Sequence, residues 1–361
     1  MTVAFILLYY WAETSTVVTR EAAYDMKLAA ARTMDLAEKA LCDYRLPAFN
    51  SHSGQNTSDA LIFTLLGEKH SDITTDEGNI QDKITGLNPN LAAAVVDMMQ
   101  QAGVKKGDTV AVLLTGGMPG ANLAVYSAAS ALNLHVVAIT SVGSSWWGAN
   151  LPEFTWLDME HILNQQGVLP YHSVAASLGG SDDQGGLRLS EQGREFITSA
   201  VDRNSLTFIR QGSLAENIRA RLTILQNNAA LTSYRAVINV GGGIAALGHP
   251  ENGSLIPSVV SRRLPSKNYP ALGVVHHLNE AGAGVVNIYN IAQIAKTYRL
   301  PVAVLPLPAV GEGDVYQHRR YNVTVAGIAL GLTLIILAIV KYYDRKAFQW
   351  REQHTDPDTI I

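Results

Sequence analysis

Near the C-terminus, Val323 to Val340 reads VTVAGIALGLTLIILAIV, a run without a charge or a proline. As a helix rising about 1.5 Å per residue it extends roughly 27 Å, close to the roughly 30 Å of a bilayer's hydrocarbon core. The run is apolar all round rather than striped, and Tyr321 and Tyr342–Tyr343 bracket it as interfacial aromatics. It predicts a transmembrane helix over 321–343, a polar tail over 344–361, and the lipid bilayer of a cell membrane as the first partner. Lys341, Arg345, Lys346 and Arg351 follow the run, whereas Arg319 and Arg320 precede it. The positive-inside tendency puts the tail in the cytoplasm and the body on the extracytoplasmic side. A second apolar stretch, Val3 to Trp11 within segment 1–12, would extend only about 14 Å as a helix. It reads as a partial transmembrane helix, giving a single- or two-pass chain.

Between these ends the pattern alternates. Residues 13–45 read as one long helix with a small apolar face (Ala22, Met26, Ala29, Thr33, Leu36, Ala40), stopped by Pro47. Residues 50–86 are polar around Leu61–Leu66 and read as a surface loop with a short element. Helices are expected over Pro89–Gln101, from GGMPGAN to Leu132, and over Phe154–Gln166, Ser190–Arg203, Ser213–Asn228 and Asn287–Tyr298. Strands are expected at Thr109–Leu114, His135–Ser141, Ala236–Val240, Gly273–His277 and Val302–Leu305. The predicted fold is α/β over 46–320: a mainly parallel sheet flanked by helices, Rossmann-like, as one domain or as two lobes meeting near 170–205. The net charge of −4 gives no support to nucleic-acid binding, and the lone Cys42 excludes an intrachain disulfide. No cofactor is indicated.

Candidate site residues cluster after the strands, where open parallel sheets bind ligands. Thr115, Gly116, Gly117, Gly120 and Asn122 form a strand-to-helix turn that suits an anion, although neither a Walker loop nor GxGxxG is present. Ser141, Ser144, Ser145, Trp147 and Asn150 form a second loop, and Gly241, Gly242 and Gly243 a third. Ser144 or Ser145 is a candidate nucleophile without a GxSxG elbow; Asp158 and Glu160 are candidate acid–base groups. Asp182 and Asp183 are the weak metal candidates, and His276–His277, on a strand, would face opposite ways. Arg194, Arg203, Arg210, Arg219, Arg221, Arg262, Arg263 and Lys267 are the cations an extended carboxylate polymer would need.

GDTVAVLLTGGMPGANLAV, SSWWGANLPEFTWLDME, the Asp182–Arg194 stretch, VINVGGG and NIYNIAQIAKTYRLPV together resemble the poly-gamma-glutamate system protein family, a bacterial membrane component of poly-γ-glutamate synthesis and capsule systems. The resemblance covers roughly Lys106 to Leu307 and the flanking membrane segment. It implies an accessory or scaffold component of polymer production or export, binding polymer, precursor or synthase subunits. A γ-glutamyl hydrolase or transferase is the alternative, and a sensor of a small anionic ligand a further one. It transfers no catalytic residue.

Overall fold

The computed structural model describes residues 2–53 and 64–354. Leu61–Phe63, part of the short element expected at Leu61–Leu66, lie outside the described residues. The chain divides into two compact units, residues 22–316 and residues 1–21 with 317–361.

The strands, in chain order, are β1 (Thr16–Arg20), β2 (Thr74–Asp76), β3 (Thr109–Thr115), β4 (His135–Ser141), β5 (Ser144–Ser145), β6 (Asn150–Leu151), β7 (Phe154–Thr155), β8 (Ser173–Ser177), β9 (Thr207–Ile209), β10 (Ala236–Val240), β11 (Val259–Ser261), β12 (Gly284–Ile288) and β13 (Gln317–Tyr321). The larger unit is a mixed α/β fold around a seven-stranded sheet of order β11-β12-β10-β3-β4-β8-β9. Every pairing is parallel except β11 with β12. Two small ribbons belong to the same unit, β2 with β5 and β6 with β7.

β3 shows why this sequence makes a doubly covered sheet. Its apolar residues run without interruption, and alternate side chains enter different cores. Val110, Val112 and Leu114 join the cluster built with the helices Tyr24–Ser53, Asn90–Gln101 and Pro119–Ala131. Ala111 and Leu113 join a second cluster beneath Leu214–Asn228 and Val274–Glu280. Starting from β3, the chain lays β4, β8 and β9 to one side, then returns to place β10 and β12 on the other. The connections after β3 and β10 therefore diverge, leaving a crevice above the junction of these two neighbours.

Several expectations are corrected. The long N-terminal helix runs from Tyr24 to Ser53, and Thr16–Arg20 forms a strand instead, in keeping with its β-branched Thr-Val-Val-Thr run. Pro47 lies within that helix; it removes one backbone donor without ending it. The buried stripe is Ala30, Ala31, Met34, Ala37 and Leu41, offset from the expected face, and Leu36 is exposed. Gly273–His277 is not a strand; Val274–Glu280 is a helix, and the strand is the similar GVVNI run at β12. Short Val-Val runs satisfy either period, so periodicity alone does not separate them. Val302–Leu305 is irregular, flanked by Pro301 and Pro306, which supply no ladder donor. β8 escaped notice because its SVAAS sequence lacks a bulky apolar run, and β9 because it has three residues.

In the smaller unit, β1 and β13 pair antiparallel with Thr16 opposite Tyr321. The helix Thr2–Thr14 precedes the ribbon and the helix Val323–His354 follows it, and Tyr321 donates to Glu13 Oε1 at 2.9 Å. Val323–Trp350 is long and apolar enough to cross a membrane and is almost wholly unburied.

Candidate active site

The crevice above β3 and β10 is a cleft of about 420 Å³. Thr115 enters it at the end of β3 and Gly117 and Met118 just after, Gly143 and Ser145 after β4, and Gly241–Gly243 after β10. Its opposite wall is Thr75 to Asn79 with Asp82 and Lys83, contributed by β2 and the helix Ile80–Gly86.

That wall is held in place by named contacts. β2 pairs parallel to β5, with Thr74 opposite Ser144 and Asp76 opposite Ser145. Asn150 clamps the preceding segment: its amide accepts from the Glu68 N–H at 2.9 Å and donates to Glu68 O at 2.7 Å and Thr74 Oγ1 at 3.1 Å. The Asn79 side chain caps the helix that carries Lys83. Beyond it, Gly120 lies so close to Gly86 that a Cβ on Gly120 would come within 2.5 Å of the Gly86 carbonyl oxygen. Only a glycine at position 120 lets the two helices approach in this way.

Lys83 is the decisive side chain. It is buried, and its amine donates to Ser145 Oγ at 2.7 Å, to the Gly117 carbonyl, and toward Met118 Sδ at 3.2 Å. Burial pushes the amine down from its ordinary 10.5 to about 8, against the opposing pull of Asp82 and Asp76. A neutral lysine in this position accepts the Ser145 proton across the same contact. Two glycines keep the hydroxyl accessible. A Cβ on Gly117 would stand 2.7 Å from Ser145 Oγ, and one on Gly78 would stand 3.3 Å from Oγ and 3.2 Å from Lys83 Cε.

The remaining sequence candidates divide into two groups. Thr115, Gly117, Ser145, Gly241, Gly242 and Gly243 line the cleft. Gly116, Gly120, Asn122, Ser141, Ser144, Trp147 and Asn150 do not. Asn122 donates to Thr115 O at 2.9 Å, holding the turn, and Gly116 packs against Val142 O. Ser144 is fully buried and donates to the Ser145 carbonyl at 3.1 Å. Trp147 packs edge-on against Trp146, with Lys69 over both rings.

The carboxylates are occupied elsewhere. Asp158 caps its own helix from Thr155 and pairs with Arg203, whose Nε donates at 2.7 Å. Glu160 is buried outside the cleft and accepts from Tyr126 at 2.6 Å, from Trp156 at 2.7 Å, and from Ser173 N and Oγ. Desolvation lifts its carboxyl to about 7 although all these donors oppose the rise. Asp182 accepts two backbone N–H groups of its own turn. Asp183 is buried in an ion pair with Arg221 at 2.7 Å and accepts from Ser177 at 2.7 Å. Among the described residues no cluster of His, Cys, Asp and Glu suits a metal ion. His276 and His277 are adjacent on a helix.

Sequence reasoning missed Lys83, Asp76, Glu77 and Asp82, because segment 50–86 reads as a solvated loop. A lone lysine in a polar stretch carries no signal that it will be buried. No family model matches the chain, and neither a curated protein nor a solved structure matches it.

Proposed function

We propose that this protein is a membrane-anchored acyl hydrolase or transferase in which Ser145 is the nucleophile and Lys83 the general base. The observation that carries this reading is the 2.7 Å contact between Ser145 Oγ and a buried amine whose proton is held weakly. Neutral Lys83 removes the hydroxyl proton as Oγ attacks a carbonyl carbon. The resulting ammonium returns that proton to the departing amine or alcohol, and water or an amine then takes the acyl group from Ser145. The sheet order resembles nucleotide-binding, Rossmann-like folds, but the chain lacks their GxGxxG turn, so acyl chemistry is the better account of the crevice.

The family resemblance supplies the pathway: γ-amide bonds of poly-γ-glutamate or of its glutamyl precursors are the bonds we assign to Ser145, at the outer face of a bacterial cell membrane. The apolar helix Val323–Trp350 supports the anchor, with Thr2–Thr14 as a second membrane contact. A scaffold for polymer or synthase subunits ranks second. Polymer binding asks for exposed cations along a groove, whereas Arg203 and Arg221 are engaged by Asp158 and Asp183 and neither lines the cleft.

Treating the full chain in detergent with a fluorophosphonate probe tests the assignment. Wild type labels at Ser145, Ser145→Ala does not label, and Lys83→Met labels at least about 100-fold more slowly, the usual scale for loss of a general base. Equal labelling of wild type and Ser145→Ala, or none of wild type between pH 7 and 9, rejects it.

A further inference from the structure

The cleft wall that follows β10 is fastened from behind. Ile244 and Leu247, the ends of the short helix Ile244–Leu247, line the cleft, with Pro250 just beyond them. Leu272 and Gly273 lie flush against this turn. A Cβ on Gly248 would come within 2.4 Å of Gly273 N, and one on Gly273 within 2.3 Å of Ala246 O. Asn252 ties the same two stretches, donating to Leu247 O at 2.7 Å and to Ala271 O at 2.6 Å.

Gly273 is held in turn by His276. It caps the helix Val274–Glu280, and its N–H donates to His276 Nδ1 at 3.1 Å. A neutral ring that accepts at Nδ1 carries its proton on Nε2. Nε2 is buried and has no hydrogen-bond partner among the described residues, while the Tyr269 ring meets the imidazole edge-on, centroids 4.5 Å apart. A proton added to this ring goes to Nδ1, where it faces the Gly273 N–H and removes the acceptor. Desolvation keeps the imidazole below its ordinary 6.5; His277 adds to the fall, and Glu280 and the Gly273 backbone oppose it. The elements packed against this helix bring little charge. Ile244–Leu247, β10 and β12 have no titratable side chain, and the segment above contributes Tyr269. On Leu214–Asn228, Glu216 and Arg219 are exposed and Arg221 is engaged by Asp183.

The closed arrangement also leaves needs unmet. Asn252 Oδ1 is a second buried atom without a partner among the described residues. The chain approaches Leu272 through β11, where Val259 has φ +82°, a conformation that β-branched residues rarely adopt. Opening gives both orphan atoms access to water.

We infer that His276 is a proton-operated latch: on taking up one proton it releases Leu272–Gly273 from the Ala246–Gly248 turn and opens this wall of the cleft toward acid pH. The inference goes beyond the reading above and holds whether or not Ser145 is a nucleophile. With the imidazole in water the open form titrates near 6.5, and the latched form titrates lower, so the open form binds more protons. Latching is at full strength above about pH 6.5 and is lost as pH falls through the lower value of the latched ring.

Hydrogen–deuterium exchange of the full chain in detergent tests this, read by mass spectrometry at pH 7.5 and 5.5 and corrected for intrinsic rates. In wild type, protection over 244–273 falls several-fold at pH 5.5, up to the roughly ten-fold that one proton allows over one unit below 6.5, while β3 and β4 keep theirs. His276→Gln offers the N-cap N–H an amide oxygen at either pH, stays latched and loses the response. His277→Gln keeps the response. Unchanged protection in wild type overturns the latch, and that arm needs no variant to fold. A response that survives His276→Gln, or that disappears in His277→Gln, overturns it as well. So does a loss spread evenly over β3 and β4, because general loosening is not a local release.

Discussion

Replacing Lys83 with methionine separates stability from function. The side chains have similar length, and Lys83 is buried, so the change removes a charge from the interior without opening a large cavity. The drop from 10.5 to about 8 makes holding the ammonium in the folded state cost roughly 3 kcal/mol at pH 7. Against this, Lys83→Met gives up the hydrogen bonds to Ser145 Oγ and the Gly117 carbonyl, each worth about 1 kcal/mol. The expected net result is a variant about 1 kcal/mol more stable than wild type at pH 7, yet unable to activate Ser145. Between about pH 8 and 10.5 the unfolded chain binds this proton while the folded protein has released it, so wild-type stability rises with pH across that window. Lys83→Met lacks the rise, so its advantage vanishes near pH 9 and reverses above it, where the lost hydrogen bonds are no longer offset. Urea unfolding of the full chain in detergent, followed by tryptophan fluorescence at pH 7 and pH 9.5, reads this difference. A variant less stable than wild type by the same amount at both pH values would refute the reasoning, because it would mean the amine keeps its ordinary proton affinity.

Other outcomes follow from the same geometry. Labelling of Ser145 by the fluorophosphonate increases about ten-fold from pH 7 to pH 9 as the neutral fraction of an amine titrating near 8 grows from about 0.1 to about 0.9, measurable by in-gel fluorescence. Gly117→Ala places a methyl 2.7 Å from Ser145 Oγ and lowers the labelling rate at least about ten-fold, with an unfolding midpoint near that of wild type by circular dichroism. Arg221→Met leaves the Asp183 carboxylate buried without its cation and costs about 3–5 kcal/mol in urea titration, although neither residue enters the cleft. Truncation before Val323 moves the protein from the membrane pellet toward the soluble fraction on ultracentrifugation.

Much of the architecture was legible in residue patterns. TVAVLLT, HVVAITS and AVINV each contain the long apolar run that a doubly covered strand requires, and each lies where it was expected. The apolar helix after Tyr321 was equally plain from its length and lack of charge. What failed was local. GVVHH and GVVNI are nearly the same string of small and β-branched residues, and only packing made one a helix and the other a strand. The site was half visible. Glycines after β3 and β10 and the serine after β4 could be placed on one rim because strand ends define it. Lys83 could not, since its burial comes from contacts with Gly117, Met118 and Ser145, far away in sequence. Asp158, Glu160 and Asp183 looked like chemistry because a carboxylate's partners do not show in sequence: a cap, a ring of donors and an ion pair engage them.

The ribbon of β2 and β5 has a consequence for control of such an enzyme. Ser145 lies on one strand, and the strand beside it leads, a few residues on, into the helix bearing Lys83. Reactivity is thereby tied to a pairing a few residues long, outside the seven-stranded sheet. Peeling that edge away would draw the amine back from the hydroxyl and leave a fully folded, silent protein.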